Sequence, residues 1–354
     1  MKSDKSGRLF SRWSGLTLLI AGMLIWSFGS ALSKDLPRLI TTTSYKVGSL
    51  GYIITSGFRE AIEKLTPMKV RIEPYGTDVT RTLPLKMKES EIALMGGASA
   101  TCVSYGIAEF SAKEWGPQPL RQVWRGMNVY TGMVTRGDSG IKHPRDLKGK
   151  RIPLVPGWPA GMKGIEGVMA FGNVTWNDVI KITCSGYTDQ LTGVMEGKVD
   201  AAYAATVTPL LEEMAASPHG LAYIVMPHAD KEGWARLSKI SPWFVPMVAK
   251  QAPGLKNGES FEYSGHPYSL WAYDHADDDI IYAVVKALHQ GFDIYKNMHR
   301  SMAQWNIRQA VSDPSPVPYH DGAIRYFKEA GVWTKAMDAW QAHQLKLFNA
   351  RKKQ

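Results

Sequence analysis

Hydrophobic and polar positions switch between two periods along this chain, and the switches mark its elements. Leu39 to Ser44 is a short run with strand character. After a glycine-spaced turn, Gly48-Ser49-Leu50-Gly51, the residues Ile54, Phe58, Ile62 and Leu65 recur at helical spacing. Lys69 to Tyr75 alternates, with Val70 and Ile72 on one face, and predicts a strand. Gly76-Thr77-Asp78 opens a short helix ending near Lys88. Ile92 to Met95 is a buried strand closed by Gly96-Gly97, and Ala98 to Tyr105 is helical. This β-α-β-α-β order predicts a parallel sheet with right-handed crossovers.

A second series starts near Tyr130. Strands are expected at Met133 to Thr135, Arg151 to Val155, Ile180 to Cys184 and Val199 to Ala205. Between them lie a short polar helix and turn (Asp146 to Lys150), a helix through Ile165, Val168 and Met169, and a helix capped by Ser185 and stopped by Gly197. Thr206 precedes a helix through Leu210, Leu211 and Met214. Tyr268 to Tyr273 is a further strand, and Asp277-Asp278-Asp279 starts a long helix to about Tyr295. Carboxylates at a helix start cap free N–H groups and oppose the dipole, so the triplet reads as a cap and not as a metal site. Trp333, Met337, Trp340 and Leu347 form one packing stripe on the last helix.

The expected fold is α/β with two lobes, parallel-rich sheets flanked by helices and a cleft between the lobes. The first lobe takes 34–131, the second 132–240, and 241–354 returns to the first. Ligands in open α/β sheets sit beyond the carboxyl ends of the strands, and hinge closure is the expected motion.

The N-terminus changes the picture. Lys2, Lys5, Arg8 and Arg12 precede an apolar stretch of 14 residues, Gly15 to Phe28, and then the small residues Gly29, Ser30, Ala31 and Ser33. That order makes 1–33 a signal peptide, with an uncleaved anchor as the other reading; the stretch is short for a membrane span of roughly 20 residues. The protein is thus expected in the periplasm. Cleavage lowers the net charge from +10 to +7, a sign that favours anionic ligands or surfaces without specifying one. No nucleic-acid motif is present, and nucleic acid is not an expected partner. Cys102 and Cys184 fall in different expected lobes and read as two buried free thiols.

Several blocks point to a family. Asp138-Ser139-Gly140-Ile141 followed by Asp146-Leu147-Lys148-Gly149-Lys150-Arg151-Ile152 resembles the start of the second lobe in type II periplasmic solute-binding proteins. Glu196-Gly197-Lys198-Val199-Asp200-Ala201 is more specific. Pro318-Tyr319-His320-Asp321-Gly322-Ala323-Ile324-Arg325-Tyr326-Phe327-Lys328-Glu329 resembles the C-terminal signature of TAXI-type receptors of TRAP transporters. Trp115 to Arg121 looks like a divergent subgroup of that family. The resemblance implies a receptor that captures a small organic anion and delivers it to TRAP-type membrane subunits. The chain departs from the family pattern at Ile53, at Gly76-Thr77-Asp78 with Arg81, and at Gly157-Trp158-Pro159-Ala160-Gly161, so ligand identity does not carry over.

Loops before helix N-termini make the expected site, because free N–H groups suit a carboxylate. They supply Ser49 and Tyr52 from Gly48 to Tyr52, Asp78 and Arg81 from Gly76 to Arg81, and Trp158, Ala160 and Gly161 from the third loop. Gly97 and Ala98 offer the same geometry, and Ser44 and Tyr45 end the strand beside the first loop. Arg81 pairs with a ligand carboxylate, lies exposed on its helix, or bridges to Asp78. Tyr45, Tyr52 and Trp158 wall the pocket or pack in the core, and Trp158 is expected in an exposed loop. Thr206 donates from the second lobe or caps its helix. Three functional readings follow: a transport receptor, a ligand-presenting subunit of a membrane signalling system, and an exported enzyme. The enzyme is disfavoured because Gly-x-Ser-x-Gly, His-Glu-x-x-His and Cys-x-x-Cys are absent and the 9 His are dispersed. No cofactor and no metal are expected.

Overall fold

Strand and helix alternate in the first third of the chain because the hydrophobic period does. The computed structural model describes residues 35–311 and 317–351, so the expected signal peptide lies outside the described residues. The first series is β1 (Leu39–Tyr45), α1 (Leu50–Leu65), β2 (Lys69–Tyr75), α2 (Asp78–Lys86), β3 (Ile92–Gly96) and α3 (Gly97–Tyr105). A 17-residue strand, β4 (Leu120–Arg136), leads to β5 (Arg151–Leu154), α4 (Pro159–Phe171), β6 (Ile180–Thr183), α5 (Tyr187–Met195) and β7 (Ala201–Ala205). Then come α6 (Leu210–Ala216), β8 (Leu221–Tyr223), α7 (Lys231–Ile240), β9 (Val245–Ala249) and β10 (Phe261–Tyr273). The chain ends with α8 (Asp278–Gln290), α9 (Phe292–Tyr295), α10 (Asp321–Glu329) and α11 (Lys335–Arg351).

The architecture is α/β: a large sheet, flanked by helices, in the order β2-β1-β3-β10-β4-β7, with β8 on β4 and β9 on β10. β1 runs parallel to β2 and β3, as the crossover helices α1 and α2 require. β10 is antiparallel to β3 and β4, and β7 is antiparallel to β4. β5 and β6 form a separate parallel pair. From Pro37 on, the described residues form one compact unit.

The strand expected at Met133 to Thr135 is only the end of β4, and that expected at Tyr268 to Tyr273 is only the second half of β10. β4 begins with Arg121, Gln122 and Arg125, polar residues that hide its strand pattern. All three are buried, and partners far along the chain meet two of them: Asp274 at 3.4 Å from Arg121, and the Tyr319 hydroxyl, which accepts from the Gln122 side-chain amide at 2.8 Å. In β10, Pro267 and register shifts around Ser269 and Leu270 break the alternation. The expected boundary at 131/132 therefore falls inside a continuous strand.

Asp277 caps α8, accepting from the amides of Asp279 (2.9 Å) and Ile280 (3.4 Å). Asp278 accepts from the Gly322 amide and Asp279 pairs with Arg325, so the triplet also fastens α8 to α10. The C-terminal signature packs on the start of β4: the Gln122 amide donates to Pro318 and the His320 amide donates to Gln122. The expected packing stripe holds in part: Trp333, just before α11, and Trp340 pack against Tyr319 at 5.3 and 5.8 Å, and Met337 is half-buried. Leu347 is exposed, while Gln341 and Phe348 face inward. Gln341 is drawn in because its side-chain amide satisfies both the N–H (2.8 Å) and the C=O (2.9 Å) of Tyr319. Ser185 does not cap α5; Gly186 does, without a side-chain bond. Cys102 and Cys184 are free and buried.

Candidate functional site

Crossover connections place each helix start at the carboxyl end of the strand before it. The first turns of α1, α3, α4 and α5 therefore meet, together with the middles of β4 and β10, around a cavity of about 100 Å³. Aromatic rings form its walls. Tyr45 and Tyr268 stand 5.5 Å apart, and Trp158 meets Tyr187 edge-to-face at 5.4 Å. Tyr203 and Phe244 add two more rings to the lining. Two glycines make room for these rings: a Cβ at Gly51 would stand 2.4 Å from the Tyr45 ring, and one at Gly161 2.1 Å from the Trp158 indole.

Val129 and Thr131 of β4 and His266 of β10 add to the lining. His266 Nδ1 lies 3.0 Å from the Pro267 carbonyl, its donor proton directed there, and burial pulls the imidazole down to about 4. It is neutral near pH 7, with Nε2 as an acceptor. Thr131 and Tyr203 are neighbours, yet neither hydroxyl has a hydrogen-bond partner of sound geometry among the described residues. Burial pushes the Tyr203 phenol far up, so it stays protonated.

The cation expected to meet the ligand is spoken for. Arg81 is 1% exposed and donates to Asp78 Oδ1 at 3.0 Å and to the Tyr75 carbonyl at 3.4 Å, with its guanidinium 3.7 Å from the centre of the Tyr45 ring. Asp78, fully buried, also accepts from the Ser99 hydroxyl (2.8 Å) and from the Ala160 amide in the first turn of α4 (3.2 Å). Burial pushes the Asp78 carboxyl up, and Arg81, Ser99 and the Ala160 amide oppose that. Neighbouring bonds join the same segments: Val79 N–H donates to the Gly157 carbonyl, and Gly157 N–H to Glu109.

Of the residues expected in the site, Tyr45, Ser49, Ala98, Trp158, Ala160 and Gly161 line the cavity. The other six do not. Asp78 and Arg81 form the buried pair behind it. Ser44 is bound to Thr55 and the Gly51 carbonyl, and Tyr52 lies half-buried on α1. Gly97 is enclosed against Pro267. Thr206 is buried, caps no helix, and sits between the lining residues Ala205 and Val207. Trp158 is not in an exposed loop: it is 7% exposed, held between Tyr187 and Tyr203.

Residues 48–331 match the model of the NMT1-like family. The chain belongs to the NMT1-like family. No curated protein matches it in sequence. A putative periplasmic sulfonate-binding protein of an ABC transporter from Methylobacillus flagellatus KT is similar in structure at 14% identity and a TM-score of 0.46, over 84% of this chain and 96% of that one. An ancestral arginine-binding protein bound to arginine is similar at 16% identity and a TM-score of 0.45, over 76% and 98%. An amino acid ABC transporter substrate-binding protein from Streptococcus pneumoniae, bound to L-arginine, is similar at 11% identity and a TM-score of 0.44, over 75% and 93%.

The residues of this NMT1-like chain that sequence reading missed include Thr131, Tyr187, Tyr203, Phe244, His266 and Tyr268. Four of them sit on or beside β4, β7 and β10, the strands that neighbour each other only after folding. The one local signal was Tyr203, the single bulky residue in the strand Ala201–Ala205.

Proposed function

We propose that this protein is an exported solute-binding receptor that takes a small solute into the cavity between its two halves and releases it by opening. The observation that carries the reading is the ring-walled cavity at the carboxyl ends of β1, β3, β5 and β6. It lies where β4 and β10 pass from one half of the sheet to the other. In this reading 34–131 and the returning 241–354 build one lobe, 132–240 the other, and β4 and β10 are the hinge. The bonds of Asp78 to Ala160 and of Val79 and Glu109 to Gly157 hold the closed form. By linkage, the solute drives closure only as far as it binds the closed state better.

The export signal in 1–33 supports a periplasmic location. The C-terminal block 318–329 and the block 196–201 support membership of the TAXI subgroup and delivery to TRAP-type membrane subunits. The role is capture without chemistry. The site proposed from the sequence for an organic anion keeps its helix N-termini but loses Arg81 as a direct ligand. A thermal-shift screen of the purified protein against small acids, amides, alcohols and amines tests the reading. A ligand at about 100 times its dissociation constant stabilises by about 2.7 kcal/mol, which such a screen resolves. Stabilisation by no small solute would refute solute capture.

A further inference from the structure

We infer that Asp78 is a built-in anion: its carboxylate fills a carboxylate receptor formed across the two proposed lobes and latches them together. The inference rests on the solute-capture reading and its lobe assignment, and names the residue that governs closure. The receptor is a donor set drawn from three helices. Asp78 Oδ1 accepts from Arg81 Nη1 of α2 at 3.0 Å and from the Ser99 hydroxyl of α3 at 2.8 Å. Oδ2 accepts from the Ala160 amide in the first turn of α4 at 3.2 Å. A guanidinium, a hydroxyl and an amide at a helix start are the donors that proteins offer to a bound carboxylate. Here the carboxylate is tethered to the chain.

The helix that carries Asp78 does not need it as a cap. Thr77 already caps α2, accepting from the Thr80 amide at 3.3 Å, while the Thr80 hydroxyl accepts from the Thr77 amide at 3.4 Å. The Asp78 side chain reaches α3 and α4 instead, and is fully buried there. Gly157 brings α4 to it. Its φ of +75° is one that other residues resist, and its carbonyl accepts from the Val79 N–H at 3.2 Å. The two segments at which the sequence departs from the family pattern, Gly76 to Arg81 and Gly157 to Gly161, thus meet each other.

The latch also reaches the cavity wall. Ser99 and Ala160 both line the cavity, so one carboxylate ties a wall residue of the first proposed lobe to a wall residue of the second. The Arg81 guanidinium lies 3.7 Å from the centre of the Tyr45 ring, a third lining residue. Releasing Asp78 loosens α4 from α2 and α3, and Trp158 and Gly161 move with it. Closure and the wall of the cavity therefore form together.

Asp78→Ala removes the carboxylate and leaves room for a free one. The probe is sodium formate, with sodium chloride at equal ionic strength as the control. Formate should raise the melting midpoint of Asp78→Ala by about 2 °C or more for each tenfold rise above its dissociation constant, and leave the parent unmoved. Adding Arg81→Met to Asp78→Ala should abolish that effect. Small-angle scattering separates a latch from a bond that only stabilises: Asp78→Ala should have a larger radius of gyration than the parent, and formate should restore the parent value. Where Asp78→Ala does not fold unaided, its refolding yield in formate against chloride gives the same reading. Equal effects of formate and chloride overturn the inference. So does rescue that survives Arg81→Met, or a radius in Asp78→Ala that never departs from the parent. None of these results touches solute capture itself, which stands or falls on the small-solute screen.

Discussion

Replacing Asp78 by Asn tests the arrangement behind the cavity. The carboxylate is fully buried and accepts from three sources: Arg81 at 3.0 Å, Ser99 at 2.8 Å and the Ala160 amide at 3.2 Å. Asparagine keeps the volume but leaves the Arg81 guanidinium buried beside a neutral group. Breaking a buried ion pair from one side costs about 3–5 kcal/mol, a large share of a typical stability of about 5–15 kcal/mol. We expect Asp78→Asn to lose about 3 kcal/mol in urea unfolding. Arg81→Met removes the other partner, and its cost depends on pH. The folded-state carboxyl already lies above its ordinary value and rises further without the cation. Its penalty is therefore present above that raised pKa and fades as pH falls through it, so Arg81→Met is milder at pH 5 than at pH 8. The double variant Asp78→Asn/Arg81→Met buries no charge and should be more stable than Asp78→Asn alone. A loss below about 1 kcal/mol for Asp78→Asn, or a double variant as poor as the two singles added, would refute the reasoning.

Other outcomes are equally definite. His266 has its imidazole pulled down to about 4 by burial, so the unfolded chain binds the extra proton between pH 6.5 and 4. Stability from this residue is whole above about 6.5 and drains away as pH falls toward 4, by up to about 3 kcal/mol. His266→Gln should flatten the slope relative to the parent when unfolding is followed from pH 7 to 4.5; His320, His275, His289 and His299, also held down by burial, contribute to the slope that remains. Gly161→Ala pushes a methyl to within 2.1 Å of the Trp158 indole, and should cost about 1–3 kcal/mol together with solute affinity, read by denaturation and calorimetry. Gln341→Ala strands the backbone N–H and C=O of Tyr319 and should lower stability by about 1–3 kcal/mol, seen as early release of α11 in hydrogen exchange. Thiol titration of the denatured, unreduced protein should count both cysteines as free.

Where local periodicity met local burial, the sequence could be read directly. β2 runs from Lys69 to Tyr75 as its alternation predicted, and β3 appears where Ile92 to Met95 forms an apolar run. The glycine-rich helix starts named Ser49, Ala98, Ala160 and Gly161, and all four lie on the wall of the cavity, because helix N-termini and close backbone approaches favour such loops at strand ends. Arg81 shows the limit. A cation three residues after Asp78 can turn to solvent, to a ligand or back along its own helix, and spacing alone does not choose. The choice came from the Ala160 amide and Ser99, which lie 82 and 21 residues away in sequence and make Asp78 a fixed acceptor.

The sequence by itself determined the alternation of elements, the parallel β2-β1-β3 half of the sheet, the helix starts beside the cavity and, through the match over 48–331, the NMT1-like family. These are properties of short windows or of the whole pattern, and they survive without knowing what packs on what. Only the tertiary structure decided that β4 runs unbroken through Arg121, Gln122 and Arg125, that Trp158 turns inward against Tyr187 and Tyr203, and that no Asp, Glu, Lys or Arg among the described residues lines the cavity. Each of those outcomes depends on whether a polar group or ring finds a partner far along the chain. Burial and charge balance are sums over such neighbours, and the fold alone brings them together.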